Sequence, residues 1–146
     1  MMYGSLDDLI RMFGKTQMAI LSVADNELPD EPVAGPRIDG ALEAATAMVN
    51  SYIGKRYRVP VSVSSPAMPA IIEAACIIAH FRLCHGGDRT PSEDQRKAYE
   101  DMIDWLKRIS DGKADLNAPE VGGSSAHSPF TKDRPPMFSD KNLKGW

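Results

Sequence analysis

No excess of positive charge marks this sequence: 17 Lys and Arg stand against 20 Asp and Glu, a net charge of −3. Proteins that hold DNA through its phosphates carry a basic surplus, so bulk electrostatics argue against a primary DNA binder. Cysteine is scarce as well, with only Cys76 and Cys84. Eight residues apart on a helix puts them about 12 Å apart along its axis, beyond the ~7 Å between Cα atoms that a disulfide tolerates. Two free thiols suit a reducing compartment. The apolar run near residues 70–79 is broken by Glu73 and is too short to span a bilayer. MMYGSLDDLI offers no basic stretch followed by an apolar core, hence no signal peptide, and a soluble chain is expected. Also missing are a Gly-rich phosphate loop after a strand, a serine in a nucleophile elbow and paired CxxC ligands.

What is present reads as helix. The 146 residues are 42% hydrophobic and 25% charged, ordinary for one domain with a single core. Ser5 followed by Asp7 and Asp8 is a helix start, Leu6, Leu9, Ile10 and Phe13 recur at helical spacing, and Gly14 ends the segment. A short second helix is expected over 16–21. DNELPDEPVAG, residues 25–35, reads as a loop. From Pro36 an apolar stripe of Ile38, Leu42, Ala45, Val49, Tyr52 and Ile53 predicts a long helix through about Tyr57. RVPVSVSSP, residues 58–66, alternates between prolines and reads as a short extended segment or edge strand. MPAIIEAACIIAHFRLCH is apolar almost all round, as befits the buried central helix of a bundle. Thr90 as N-cap, Pro91 and Glu93 predict the start of a last helix running to Gly112.

The expected fold is therefore all-α: a small bundle of four to five helices over residues 1–112, with a short extended segment and a long irregular C-terminal tail over 113–146. Leu42, Val49, Ile72, Ala75, Ile78, Ala79, Leu83, Ile103 and Leu106 are its expected core, with Trp105 and Tyr99 beside them.

Cys76, His80 and Cys84 share one helix face at i, i+4 and i+8, and three soft ligands can approach a metal. A fourth ligand is wanting, and free cysteines behave as small core residues, so no metal and no cofactor is expected. His85 and His127 have no nucleophile beside them, the many carboxylates fall at helix starts and polar faces, and no catalytic residue emerges. Lys55, Arg56 and Arg58 follow a helix whose negative end they complement. The alternative use of that patch is contact with nucleic acid or an acidic neighbour. The tail resists such plain explanations. Phe130, Met137, Phe138, Leu143 and Trp146 stand among prolines, glycines and charges, a spacing that fits a linear peptide ordering on a partner. Its low apolar content predicts mobility from about Asn117 onward.

YGSLDDLIRMFG, IDGALEAATAMVNSYIGKRYRVPV, IIEAACIIAHFRL, RKAYEDMIDWLKRISDGKADL and FSDKNLKGW, in that order, resemble the Mu-like phage head–tail connector (head-completion or adaptor) family. The resemblance covers nearly the whole chain. It implies a structural virion subunit, assembled in the host cytoplasm and acting at the head–tail junction. Such a subunit forms a homo-oligomeric ring of roughly twelve copies below the portal protein, cyclic symmetry being what a portal offers. The ring extends the channel for packaged DNA, without sequence-specific binding, and meets a tail-side completion or terminator protein. It further implies that Phe130, Met137, Phe138, Leu143, Lys144 and Trp146 form a portal-binding arm. Lys55, Arg56 and Arg58 would meet a neighbouring subunit or the DNA channel, and segment 58–66 would bridge to a neighbour or to the tail-side protein. The competing reading is a helical DNA-packaging or DNA-binding module built on Lys55, Arg56 and Arg58.

Overall fold

A computed structural model of the chain describes residues 1–23, 35–85 and 89–121. Five helices form there: α1 (Leu6–Phe13), α2 (Lys15–Leu21), α3 (Gly35–Ile53), α4 (Met68–Cys84) and α5 (Glu93–Ser110). No strand forms among the described residues; Tyr57 and Glu120 make one isolated antiparallel bridge. The protein is an all-α small bundle. No helix of the described residues is long and apolar enough to cross a membrane.

Local chemistry sets most of the helix ends. The Ser5 side chain accepts from the Asp8 N–H, Asp7 and Asp8 lie in the first turn of α1, and Gly14 closes it at φ 93°. Pro69 occupies the first turn of α4, where its missing N–H costs nothing. The last helix begins later than its sequence suggests. Ser92, not Thr90, is the N-cap, and a reciprocal box with Gln95 satisfies two otherwise free N–H groups. Pro91, expected in the first turn, lies outside the helix and is buried.

Helix α4 is the axis of the molecule, packed along α3 and against α5, with α1 touching both α3 and α4. Ile71, Ala74, Ala75, Ile78 and Ala79 are fully buried, and the alanines let neighbouring backbones approach. Leu42, Val49, Leu83 and Leu106 join this core as expected. Two expectations change: Ile71 and Ile109 are fully buried, whereas the expected Ile72 and Ile103 pack at the margin, with Trp105 and Tyr99 beside the core as expected. Ala75, Ile78, Ala79, Leu83 and Leu106 are buried as expected, so the buried faces of α4 and α5 are the expected ones, and the difference lies in which flanking residues the neighbouring helices cover.

Tyr3 ties the N-terminus to this core. Its backbone N–H donates to Thr46 Oγ1 at 2.9 Å, its hydroxyl donates to Asn50 Oδ1 at 2.7 Å, and the same oxygen accepts from the Val61 N–H at 2.8 Å. Next to it Gly4 adopts φ +83°, and a Cβ there would lie 2.9 Å from Cys76 Sγ. Only glycine fits that combination of backbone and space. Tyr3→Phe should lower stability by about 1–3 kcal/mol, because the buried Val61 N–H loses its acceptor. Urea titration checks this; an unchanged midpoint would mean that water replaces the phenol oxygen.

Segment 58–66 is not a strand. Helix α3 stops at Ile53, whose carbonyl accepts from both the Arg56 and Tyr57 N–H groups. Past a cis peptide at Val59–Pro60, Val61 is buried and Ser62 to Ser65 form a turn. The segment thus packs on its own chain through Val61, and Ser65 Oγ donates to the Asn117 carbonyl at 3.1 Å.

Candidate functional site: the Arg56 anchor at the root of the C-terminal segment

The residues after α5 do not leave the body at once. Gly112, at φ +79°, turns the chain back, and the Lys113 and Ala114 N–H groups both donate to the Arg108 carbonyl. Leu116 is then buried, and its N–H donates to the Tyr57 hydroxyl at 2.8 Å. The Arg58 N–H donates to the Pro119 carbonyl at 2.9 Å, and the Val121 N–H donates to the Arg56 carbonyl at 2.8 Å. For residues 117–121 the expected mobility is not what the structure shows, since they are held to the body; the rest of that expectation, residues 122–146, lies outside the described residues. The low apolar content of this stretch misleads because hydrogen bonds, from the backbone and from the Arg56 and Ser65 side chains, hold it in place of apolar burial.

Arg56 is the centre of this arrangement. Its Nη1 donates to the carbonyls of Ile109 and Ala114, each at 3.0 Å, and its Nη2 reaches Asp115 Oδ1 at 3.0 Å and Glu120 Oε1 at 3.5 Å. The guanidinium carbon also lies 5.2 Å from the centroid of the Tyr57 ring. The hydrogen bond to Asp115 raises the Arg56 pKa further, partial burial opposing it. A planar fork can serve two carbonyls and two carboxylates at once; an ammonium cannot. The Lys55, Arg56 and Arg58 side chains consequently do not form one outward patch. Lys55 and Arg58 are exposed, whereas Arg56 is turned onto its own chain.

The second sequence candidate also comes apart. Cys84 Sγ lies 3.7 Å from His80 Nε2, while Cys76 lies against Gly4. His80 is buried and stacks flat on Phe13, with centroids 3.7 Å apart and planes 5° from parallel. Burial, with Asp8 adding to it, pushes the Cys76 thiol up to about 12, and burial also raises Cys84. Thiols so protonated are poor nucleophiles and poor ligands. Among the described residues no group of three or more His, Cys, Asp or Glu is placed to hold a metal. His85 is exposed, its ring 5.9 Å from Phe81, which stacks on Tyr99 at 4.1 Å. His127 lies outside the described residues, as do Phe130, Met137, Phe138, Leu143, Lys144 and Trp146.

His80 gives a pH dependence with a definite sign. Burial lowers its pKa below the ordinary 6.5, so the unfolded chain takes up the proton more readily than the folded one. The stability it permits is complete above the ordinary value and declines as pH falls through 6.5 toward the lowered one. The Tm drop between pH 7 and pH 5 should be larger in the wild type than in His80→Phe. Equal drops would mean that the imidazole does not carry this dependence.

Sequence reasoning missed Tyr3 and Tyr57, both buried and both lending a hydroxyl to a distant backbone N–H. Neither stands in a helical stripe that would have revealed it.

Comparison with known proteins gives this anchor its context. Residues 3–130 match the family model described as Bacteriophage Mu, Gp36. The chain belongs to the bacteriophage Mu Gp36 family. It is 31% identical over 151 aligned positions to gene product J of Escherichia phage Mu, covering 97% of this chain and 96% of that protein. It is also 33% identical over 82 residues to the Mu-like prophage FluMu protein gp36 of Haemophilus influenzae, covering 55% of this chain and 52% of the other. The Gp36 span takes in the whole helical body and the Arg56-anchored segment through Glu120, and ends ahead of residues 138–146. The protein is thus a Mu-like phage protein.

Proposed function

We propose that this Gp36-family chain is a structural head–tail connector (adaptor) subunit. In that role it forms a ring below the portal, extends the DNA channel and joins the DNA-filled head to the tail. The observation that carries the reading is the Arg56 anchor together with family membership. A small helical body clamps the root of its C-terminal segment at Val121, so the aromatic-bearing residues beyond it start from a defined point. An arm fixed at its root and bearing Phe130, Phe138, Leu143 and Trp146 suits capture of pockets on a portal, because aromatic anchors dominate such binding. A ring multiplies these contacts through effective concentration. The DNA-binding alternative is weakened by the same anchor, since Arg56 is already engaged by four groups of its own chain and the net charge is −3.

Quantitative mass spectrometry of purified virions, with cryo-electron microscopy of the neck, tests the proposal. A fixed ring stoichiometry at the head–tail junction is expected. Absence of this chain from virions overturns the connector reading.

A further inference from the structure

A shallow cleft of about 270 Å³ opens near the N-terminal end of α5. Phe13, Gln17, Ile77, His80, Asp94 and Ala98 line it. Its volume falls below the ~300–1,000 Å³ typical of small-molecule sites, so it suits a single ring better than a free metabolite. The Phe13–His80 stack gives it a flat aromatic component, and offset or edge-on contact with such a surface favours another aromatic side chain. Burial keeps that imidazole neutral at pH 7, so an apolar ring meets no cation there. Asp94 contributes an exposed carboxylate to the lining.

The chain itself supplies an occupant of matching chemistry. Val121 is tied to Arg56, which also grips the Ile109 carbonyl, so the C-terminal segment starts from the far end of α5. Asp94 and Ser110 are separated by about 24 Å along that helix at ~1.5 Å per residue. Phe138 follows Val121 by 17 residues rich in Gly, Ser and Pro. At ~5–6 Å × √n, a Gly/Ser-type linker of that many residues spans about 23 Å r.m.s.. Effective concentration peaks when span and linker length match. Lys141 comes three residues after Phe138, within ~10 Å along an extended chain, and can pair with Asp94.

We propose that this cleft docks the Phe138 ring of its own chain in the isolated protein, with Lys141 meeting Asp94. The aromatic end is thereby parked on the body rather than left in water. This goes beyond the connector reading and does not depend on it.

The test uses the full chain alone, with no portal present, so its failure says nothing about the connector role. Phe138→p-benzoylphenylalanine is irradiated and the products mapped by mass spectrometry. Cross-links within one chain, at monomer mass, to residues such as Gln17, Ile77 or Ala98 are expected. Ala98→Trp, at an exposed position, fills the cleft and should reduce that yield to background with the melting curve unchanged. Should that variant melt early, Asp94→Lys sets like charges together and should reduce the yield too. Cross-links joining two copies, cross-links elsewhere on the body, or a yield indifferent to both variants would overturn the proposal.

Discussion

Ile78→Asp should abolish the cooperative melting of this protein. Ile78 is fully buried in the middle of α4, the helix that packs on both α3 and α5, within the core that also holds Leu42, Val49 and Leu106. An aspartate there would lie within that apolar core, and an unpaired buried charge costs several kcal/mol even after its pKa shifts. Lost apolar burial and the altered shape add about 2–5 kcal/mol, the range for large-to-small core changes. Against a typical ~5–15 kcal/mol of total stability, the sum unfolds the domain. Ile78→Val is the control, expected to cost about 0.5–1.5 kcal/mol and to melt as one transition. Far-UV circular dichroism reads both. Wild-type helicity and melting in Ile78→Asp would mean that α4 is not the buried axis.

Arg56→Ala should release residues 113–121 while leaving the helices folded. The substitution removes the donors for Ile109 O and Ala114 O, the partner of Asp115 and Glu120, and the cation against Tyr57. What remains is the Leu116 contact with Tyr57, the Ser65 bond to the Asn117 carbonyl and a few backbone bonds, too little to keep a nine-residue strap closed at the low-stability edge of the fold. Amide exchange is the measurement. The Leu116 and Val121 N–H groups should lose their protection, and those of α4 should keep theirs. Arg56→Lys should behave almost like the alanine variant, because an ammonium cannot bridge two carbonyls and two carboxylates. Retained protection at Val121 in both variants would assign the anchoring to Tyr57, Ser65 and the backbone bonds. On the connector reading, freeing this root should also lower portal capture in a pull-down, since the arm would then start from no fixed point.

Much of the helical body was legible in the residues themselves. Ser5 with Asp7 and Asp8, Gly14, the Ile38–Leu42–Val49 stripe and the all-round apolarity of 68–84 are local signals, read within a turn or two of chain, and each produced the helix it announced. The misreadings were also local. Thr90 with Glu93 and Ser92 with Gln95 both have the spacing of a capping box, and the residues alone did not say that the Ser92 box is the one that forms. The full burial of Ile71 and Ile109 depended on how neighbouring helices cover α4 and α5, which no single helix specifies.

The candidate site followed a different rule. Three basic residues after a helix look like an outward patch, and composition alone cannot say which of them turns in. Arg56 does so because Ile109 O, Ala114 O, Asp115 and Glu120 converge on it from more than fifty residues away. Two of those partners are backbone carbonyls, which every residue possesses and no sequence pattern marks. Tyr3 and Tyr57 likewise bind N–H groups that any residue could have offered. Side-chain periodicity and capping chemistry therefore determined the helices from sequence alone. The strap, its anchor and the cleft were decided only in three dimensions, because their contacts join distant segments largely through backbone atoms that carry no residue identity.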